Sequence, residues 1–177
     1  MKARKISAAK HHCFRHAAQF TVIISNTTPL FAFAALGRFD LLEKVHGRLV
    51  VVETVVRECE VGGSIIVPDL RFLPWIRIVA APLQPDIRFQ MLDAGERDTL
   101  AIALDQGASK VLIDERLGRN IAESYGLSVV GTLGTLLKAR QLGLIAEFLP
   151  VVRQLQNAGF RYHEPLVRQL SGNVDEG

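Results

Sequence analysis

A few oxygen-bearing side chains of this chain stand where strand and helix patterns could carry them to one edge of a sheet. Val22 to Ser25 is too short and too β-branched for a helix, and Thr28-Pro29 reads as a helix start with Thr28 as N-cap. Asn26 therefore lies where a strand runs into a helix, with Ser25 and Thr27 beside it. Asp114 follows the short apolar run Lys110–Ile113 and occupies the same kind of place. In open α/β sheets the functional crevice lies at the carboxyl ends of the strands, so both positions are candidates for chemistry. Asp114 has a second role open to it, because Asp often caps the helix that follows it. Glu115, its neighbour, points elsewhere unless the chain turns sharply.

The remaining acids sort by helix geometry. At 100° per residue Leu100 and Ala103 fall within about 40° of Glu96, and Leu104 about 80° away. Asp98 and Asp105 lie about 200° and 180° round the same helix, on the face expected to be wet. A carboxylate turned toward the core near a helix N-terminus is costly unless it is paired or holds a metal, although a helix N-terminus also favours negative charge. Glu96 thus ranks above Asp98, with an N-terminal cap as its plainer role. Glu58, on the helix after Val52, could reach the same edge or face solvent.

The elements that must position these groups alternate along the chain. Helical patterns over 29–36 and 39–45 stop at Gly37 and Gly47; Leu49–Val52 reads as a strand, and Thr54 as the cap of a short helix ending before Gly62-Gly63. Residues 65–85 are the least legible stretch, with Ile76–Val79 a candidate edge strand between Pro74 and Pro82. Asp93–Gln106 is the clearest helix. A strand at 110–113, a helix at 117–125, a strand at 127–130 and a helix at 133–142 then follow in turn, with helices at 146–158 and 165–170 to close. Strands separated by helices imply βαβ crossovers, hence a three-layer α/β/α domain on a central parallel sheet.

Composition limits the function classes. At 177 residues and 49% apolar content the chain can build one core without staples. Its apolar runs fall short of the ~20 residues a membrane span needs, so no membrane role is expected. Cys13 and Cys59 form no CxxC pair and suit a reducing, cytoplasmic setting. The net charge of +3 misleads: Lys2, Arg4, Lys5, Lys10 and Arg15 precede the first strand, and 16 basic residues against 18 acidic remain. General basicity is therefore no evidence for nucleic-acid binding. Residues 1–20 read as a basic, disordered extension, 21–172 as one domain and 173–177 as a tail. Cys13 and His16 have half the spacing of a zinc site, without a complementary pair.

Taken in order, Ser25-Asn26-Thr27-Thr28-Pro29-Leu30, Val55-Val56-Arg57-Glu58, Gly95-Glu96-Arg97-Asp98 and Leu112-Ile113-Asp114-Glu115-Arg116-Leu117-Gly118-Arg119 resemble the PIN-domain ribonucleases, specifically a toxin-like bacterial subgroup. The likeness spans about residues 22–170, with Gly131-Thr132 and Asn157-Ala158-Gly159-Phe160 included. It implies that an acidic quartet, here Asn26, Glu58, Glu96 and Asp114, converges at the carboxyl edge of the sheet. It also implies that Mg²⁺ or Mn²⁺ is held there, with Asn26, Glu96 and Asp114 as ligands and Asp98, Glu115 and Thr27 in second rank. The implied activity is metal-dependent cleavage of RNA, with Arg116 and Arg119 on the phosphate backbone. The implied partners are an antitoxin whose tail enters the acidic site and a second copy of the chain, for which the apolar segment 142–149 is a candidate surface. The departure is at Asn26, where PIN domains carry Asp: a neutral amide can coordinate but adds no charge to balance a cation.

Two rivals belong to other classes. A PIN-like protein that has lost catalysis and binds RNA or a protein is favoured by Asn26. A phosphoacceptor or phosphatase domain wants Asp at position 26 and a Lys at a later strand end, whereas Lys110 opens its strand. A dinucleotide-binding domain is poorer still, since no GxGxxG follows the first strand.

Overall fold

The computed structural model describes residues 22–175. The basic extension and its Cys13/His16 half-site lie outside the described residues, as does the end of the tail. Five short strands, β1 (Ile23–Ser25), β2 (Leu49–Val52), β3 (Ile76–Val79), β4 (Lys110–Leu112) and β5 (Ser128–Val130), form one all-parallel sheet in the order β3-β2-β1-β4-β5. The eight α-helices are α1 (Thr27–Ala35), α2 (Asp40–His46), α3 (Glu53–Val61), α4 (Ala94–Asp105), α5 (Arg116–Ser124), α6 (Thr132–Gln141), α7 (Phe148–Asn157) and α8 (Glu164–Asp175).

Alternation along the strands sorts the core into two halves, because successive strand residues point to opposite faces. Ile23, Leu49, Val51 and Leu112 join a cluster with Leu30, Phe33, Leu136, Phe148 and Val152, from α1, α6 and α7. Ile24, Val50, Val52, Val111 and Ile113 face Leu100, Ala103 and Ala122, from α4 and α5. The sheet is therefore covered on both sides, and the fold is the expected three-layer α/β/α arrangement. β3 and β5 are the edges, and their side chains are correspondingly half-exposed. No helix among the described residues is long and apolar enough to cross a membrane.

The chain steps outward from β1 to β3, then crosses back to lay β4 against the other side of β1. That reversal makes the β1/β4 pair the topological switch point, where crevices open in such sheets. Register joins the two strands closely: Ser25 pairs with Leu112, and the Asn26 N–H donates to the Leu112 carbonyl at 2.9 Å. Asn26 and Asp114 thus leave neighbouring strand ends.

Two helix starts differ from expectation. α1 begins at Thr27, so Asn26 takes the N-cap place and Thr28 lies inside the helix, although the Asn26 side chain makes no capping bond. α3 begins at Glu53, which moves Thr54 from cap to first turn, and its hydroxyl donates to Asp98 Oδ2 at 2.6 Å. α3 turns directly off β2, with the last strand residue Val52 in its N-cap place, whereas one residue, Asn26, separates β1 from α1.

Candidate functional site

Asn26 is buried at 3% exposure, and its Oδ1 has no hydrogen-bond partner. Asp114 accepts from Thr132 N at 2.7 Å and from the Thr132 hydroxyl at 2.5 Å. Asp114 therefore holds the first residue of α6 and does not cap α5, whose N-cap is Glu115 without a side-chain bond. Burial pushes the Asp114 carboxyl above its ordinary range, against the Thr132 bonds and the nearby Arg119 charge, which favour the ionised form.

Glu58 faces inward and joins two helix starts. One oxygen accepts from the Thr27 hydroxyl and the other from Gly95 N, the latter at 2.9 Å. It ties the residue after Asn26 to the residue before Glu96. Glu96 is 4% exposed, with Oε1 unpartnered, and its backbone N–H is capped by Asp93 at 2.8 Å. Its carboxyl is raised to about 7, first by burial and then by the negative charges of Asp93, Glu115 and Glu58. Glu115 is exposed but close enough to contribute to that field.

Asp98 corrects the helical-wheel reading. It is buried at 6% exposure, bonded to Thr54 and paired with Arg97 at 3.2 Å, whereas Asp105 is exposed as expected. The wheel assumes one buried face, but the first turns of α4 have the sheet on one side and α3 on the other. Arg119 is half-buried, with one guanidinium N–H donating to the Ile113 carbonyl at 3.0 Å, while Arg116 is exposed at the start of α5.

Three glycines of the quoted motifs, to which sequence reasoning gave no role, shape the site. A Cβ at Gly95 would run into the Glu58 carboxylate, one at Gly118 would lie 2.9 Å from Glu96 Oε1, and one at Gly131 would strike Asp114 Oδ1. Each acid thus has a bare backbone against it. Gly118 carried a readable signal, since a glycine inside a helix costs about 1 kcal/mol and implies a close approach.

Among the described residues no group of three or more His, Cys, Asp or Glu gathers tightly enough to hold a metal. The donors nevertheless fit a hard divalent cation. Asn26 Oδ1 and Glu96 Oε1 are buried acceptors without partners, a costly arrangement that an oxygen-ligated cation would relieve. Other chemistry is less well served. The half-buried Cys59 thiol is pushed up to about 12, by burial first and then by Glu58 and Glu60, and so stays protonated at neutral pH.

A five-stranded parallel sheet with acidic side chains around its switch point defines the class, a PIN-like three-layer α/β domain. A family model for the PIN domain matches residues 22–176, and the chain belongs to that family. PIN domains are typically nucleases, and these nucleases generally use divalent metals. No curated protein and no solved structure gives a significant match.

Proposed function

We propose that this protein is a metal-dependent endoribonuclease and the toxin half of a toxin–antitoxin pair acting in the cytoplasm. The observation that carries the reading is the pair of buried, unpartnered oxygens, Asn26 Oδ1 and Glu96 Oε1, set among carboxylates at the switch point. Asn26, Glu96 and Asp114 would hold the cation; an oxygen of Asp114 can accept a further contact beside its Thr132 bond. A bound Mg²⁺ or Mn²⁺ supplies an acidified water and neutralises charge on the scissile phosphate.

The chain's own groups do the rest. Glu58 fixes the start of α1 against that of α4, which sets the spacing of Asn26 and Glu96. Thr132 orients Asp114. Glu96 takes a proton readily near neutral pH in the absence of a cation, and would have to give it up to hold one. Arg119 and Arg116 flank Asp114 and grip the phosphate backbone, with bidentate geometry available to Arg. An antitoxin and a second copy of the chain complete the assembly; exposed Leu142 and Leu149 support such a contact near the start of α7.

The test is cleavage of a structured RNA pool in Mn²⁺ against EDTA by the wild type, Asn26→Asp and Asp114→Asn. Wild-type cutting that requires metal and Asp114 is expected. The second reading, a PIN scaffold disabled at one ligand and working by binding, is favoured by the neutral amide at Asn26. Under it the wild type is silent, and Asn26→Asp cuts.

A further inference from the structure

A cleft of about 620 Å³ opens beside Asp114, within the range of sites that enclose a small molecule. Two segments wall it. One runs through the end of β5 into α6 and includes Gly131 and Gly134; the other is the turn Gly159–Tyr162 between α7 and α8. Gly131 lets Asp114 Oδ1 and the Arg119 guanidinium lie close against the backbone, and Gly134 does the same for a Val130 methyl. Gly159, at φ +100°, adopts a conformation that suits glycine and lets the chain turn sharply after α7.

The turn brings Phe160 and Tyr162 to the cleft while both also pack against the main apolar cluster. They are therefore anchored planes, not mobile ones. Two cations and two carboxylates line the same space. Half-buried Arg119 lies near Asp114 and Glu115 on one side, and exposed Arg161 stands between the two aromatic rings in sequence on the other, so a phosphate would meet the arginines away from the acids. A guanidinium has five N–H donors, and the bond to the Ile113 carbonyl occupies one of those of Arg119. Aromatic side chains interleaved with arginines match the chemistry of an unpaired nucleotide: a flat ring to stack and phosphates to pair.

We propose that this cleft is a nucleotide subsite, taking one unpaired nucleotide of a single-stranded RNA next to the scissile phosphate. The base lies against Phe160 and Tyr162, and the phosphates meet Arg119 and Arg161. The proposal rests on the nuclease reading for its substrate, but not for its binding chemistry. It makes the α7–α8 turn the element that selects where the strand is cut. Duplex RNA is excluded from the subsite, because its bases are already stacked and paired.

The experiment is fluorescence anisotropy with a labelled single-stranded RNA dodecamer of mixed sequence, in EDTA so that no cleavage intervenes. The full chain is compared with Phe160→Ala and Arg161→Ala, and the cut sites of each are then mapped in Mn²⁺. Loss of one stacked base or one phosphate contact should weaken binding about 10-fold in each variant. Because Phe160 also packs on the core, Arg161→Ala, at an exposed position, keeps the test decisive if Phe160→Ala misfolds. Both variants binding as the wild type does, or a wild type that binds only a protein partner there, overturns the proposal. Binding lost in the variants with a wild type that never cuts leaves the subsite and removes the nuclease reading. Cutting at unchanged sites by variants that bind normally does the reverse.

Discussion

Glu96 is the residue whose behaviour is most constrained. Its carboxyl sits near 7 in the folded chain against an ordinary 4.5, so between these values the folded state binds more protons than the unfolded one. Its contribution to stability is therefore favourable below about pH 4.5 and is lost as pH rises through 7. Glu96→Gln should raise the stability of metal-free protein at pH 8 by on the order of 1–3 kcal/mol, with little gain at pH 5. Urea denaturation in EDTA at both pH values measures this, and an equal change at the two would refute the assignment. The same variant should lose metal-dependent cleavage. Asp98 behaves oppositely: Asp98→Ala strands the Thr54 hydroxyl and Arg97, and should cost about 1–3 kcal/mol. Its folded fraction should still cut RNA, and a dead but stable Asp98 variant would move it into the reacting group.

At the scale of elements, the site is an agreement among helix starts. Glu58 on α3 bridges α1 and α4, Glu96 on α4 abuts α5, and Asp114 after β4 holds α6. Glycines permit these approaches, so side chains there should displace the acids without removing them. Gly118→Ala and Gly131→Ala are expected to lower cleavage at least tenfold, as small misplacements of reacting groups do. Gly63→Ala, which meets nothing within 4 Å and has no strained backbone, should stay within about 0.5 kcal/mol of the wild type and keep its activity. Normal activity in Gly118→Ala and Gly131→Ala, measured on folded protein, would show that the close contacts are incidental.

For the molecule as a whole, a cation held by Asn26 Oδ1 and Glu96 Oε1 would be linked to folding, because these oxygens are buried without partners only in the folded chain. Mn²⁺ should raise the Tm, and Asn26→Asp should enlarge that increase by adding a charge to the donor set. A hundredfold excess of ion over its dissociation constant stabilises by roughly 2.7 kcal/mol, which is about 5–11 °C in Tm for a domain of this size. Scanning calorimetry at matched ionic strength would detect it; a Tm indifferent to Mn²⁺ in both proteins would argue against a cation at this place.

Some of this was legible in the chain's order of residues alone. Short β-branched runs and glycine-stopped helices announced the parallel sheet, and even the edge strand Ile76–Val79 was placed correctly between its prolines. Local periodicity reports such features because each depends on neighbours within a few residues. It also singled out Glu96, since one face of α4 carries Leu100 and Ala103 into the core. Tertiary packing alone decided the rest. Asp98 is buried because α3 closes over the side of α4 that a wheel leaves to water, and Asp114 serves α6 because β5 ends alongside β4. The glycines beside Glu58, Glu96 and Asp114, and the cleft walled by the α7–α8 turn, exist only where segments far apart in sequence meet. No pattern within one segment records what another segment will place against it.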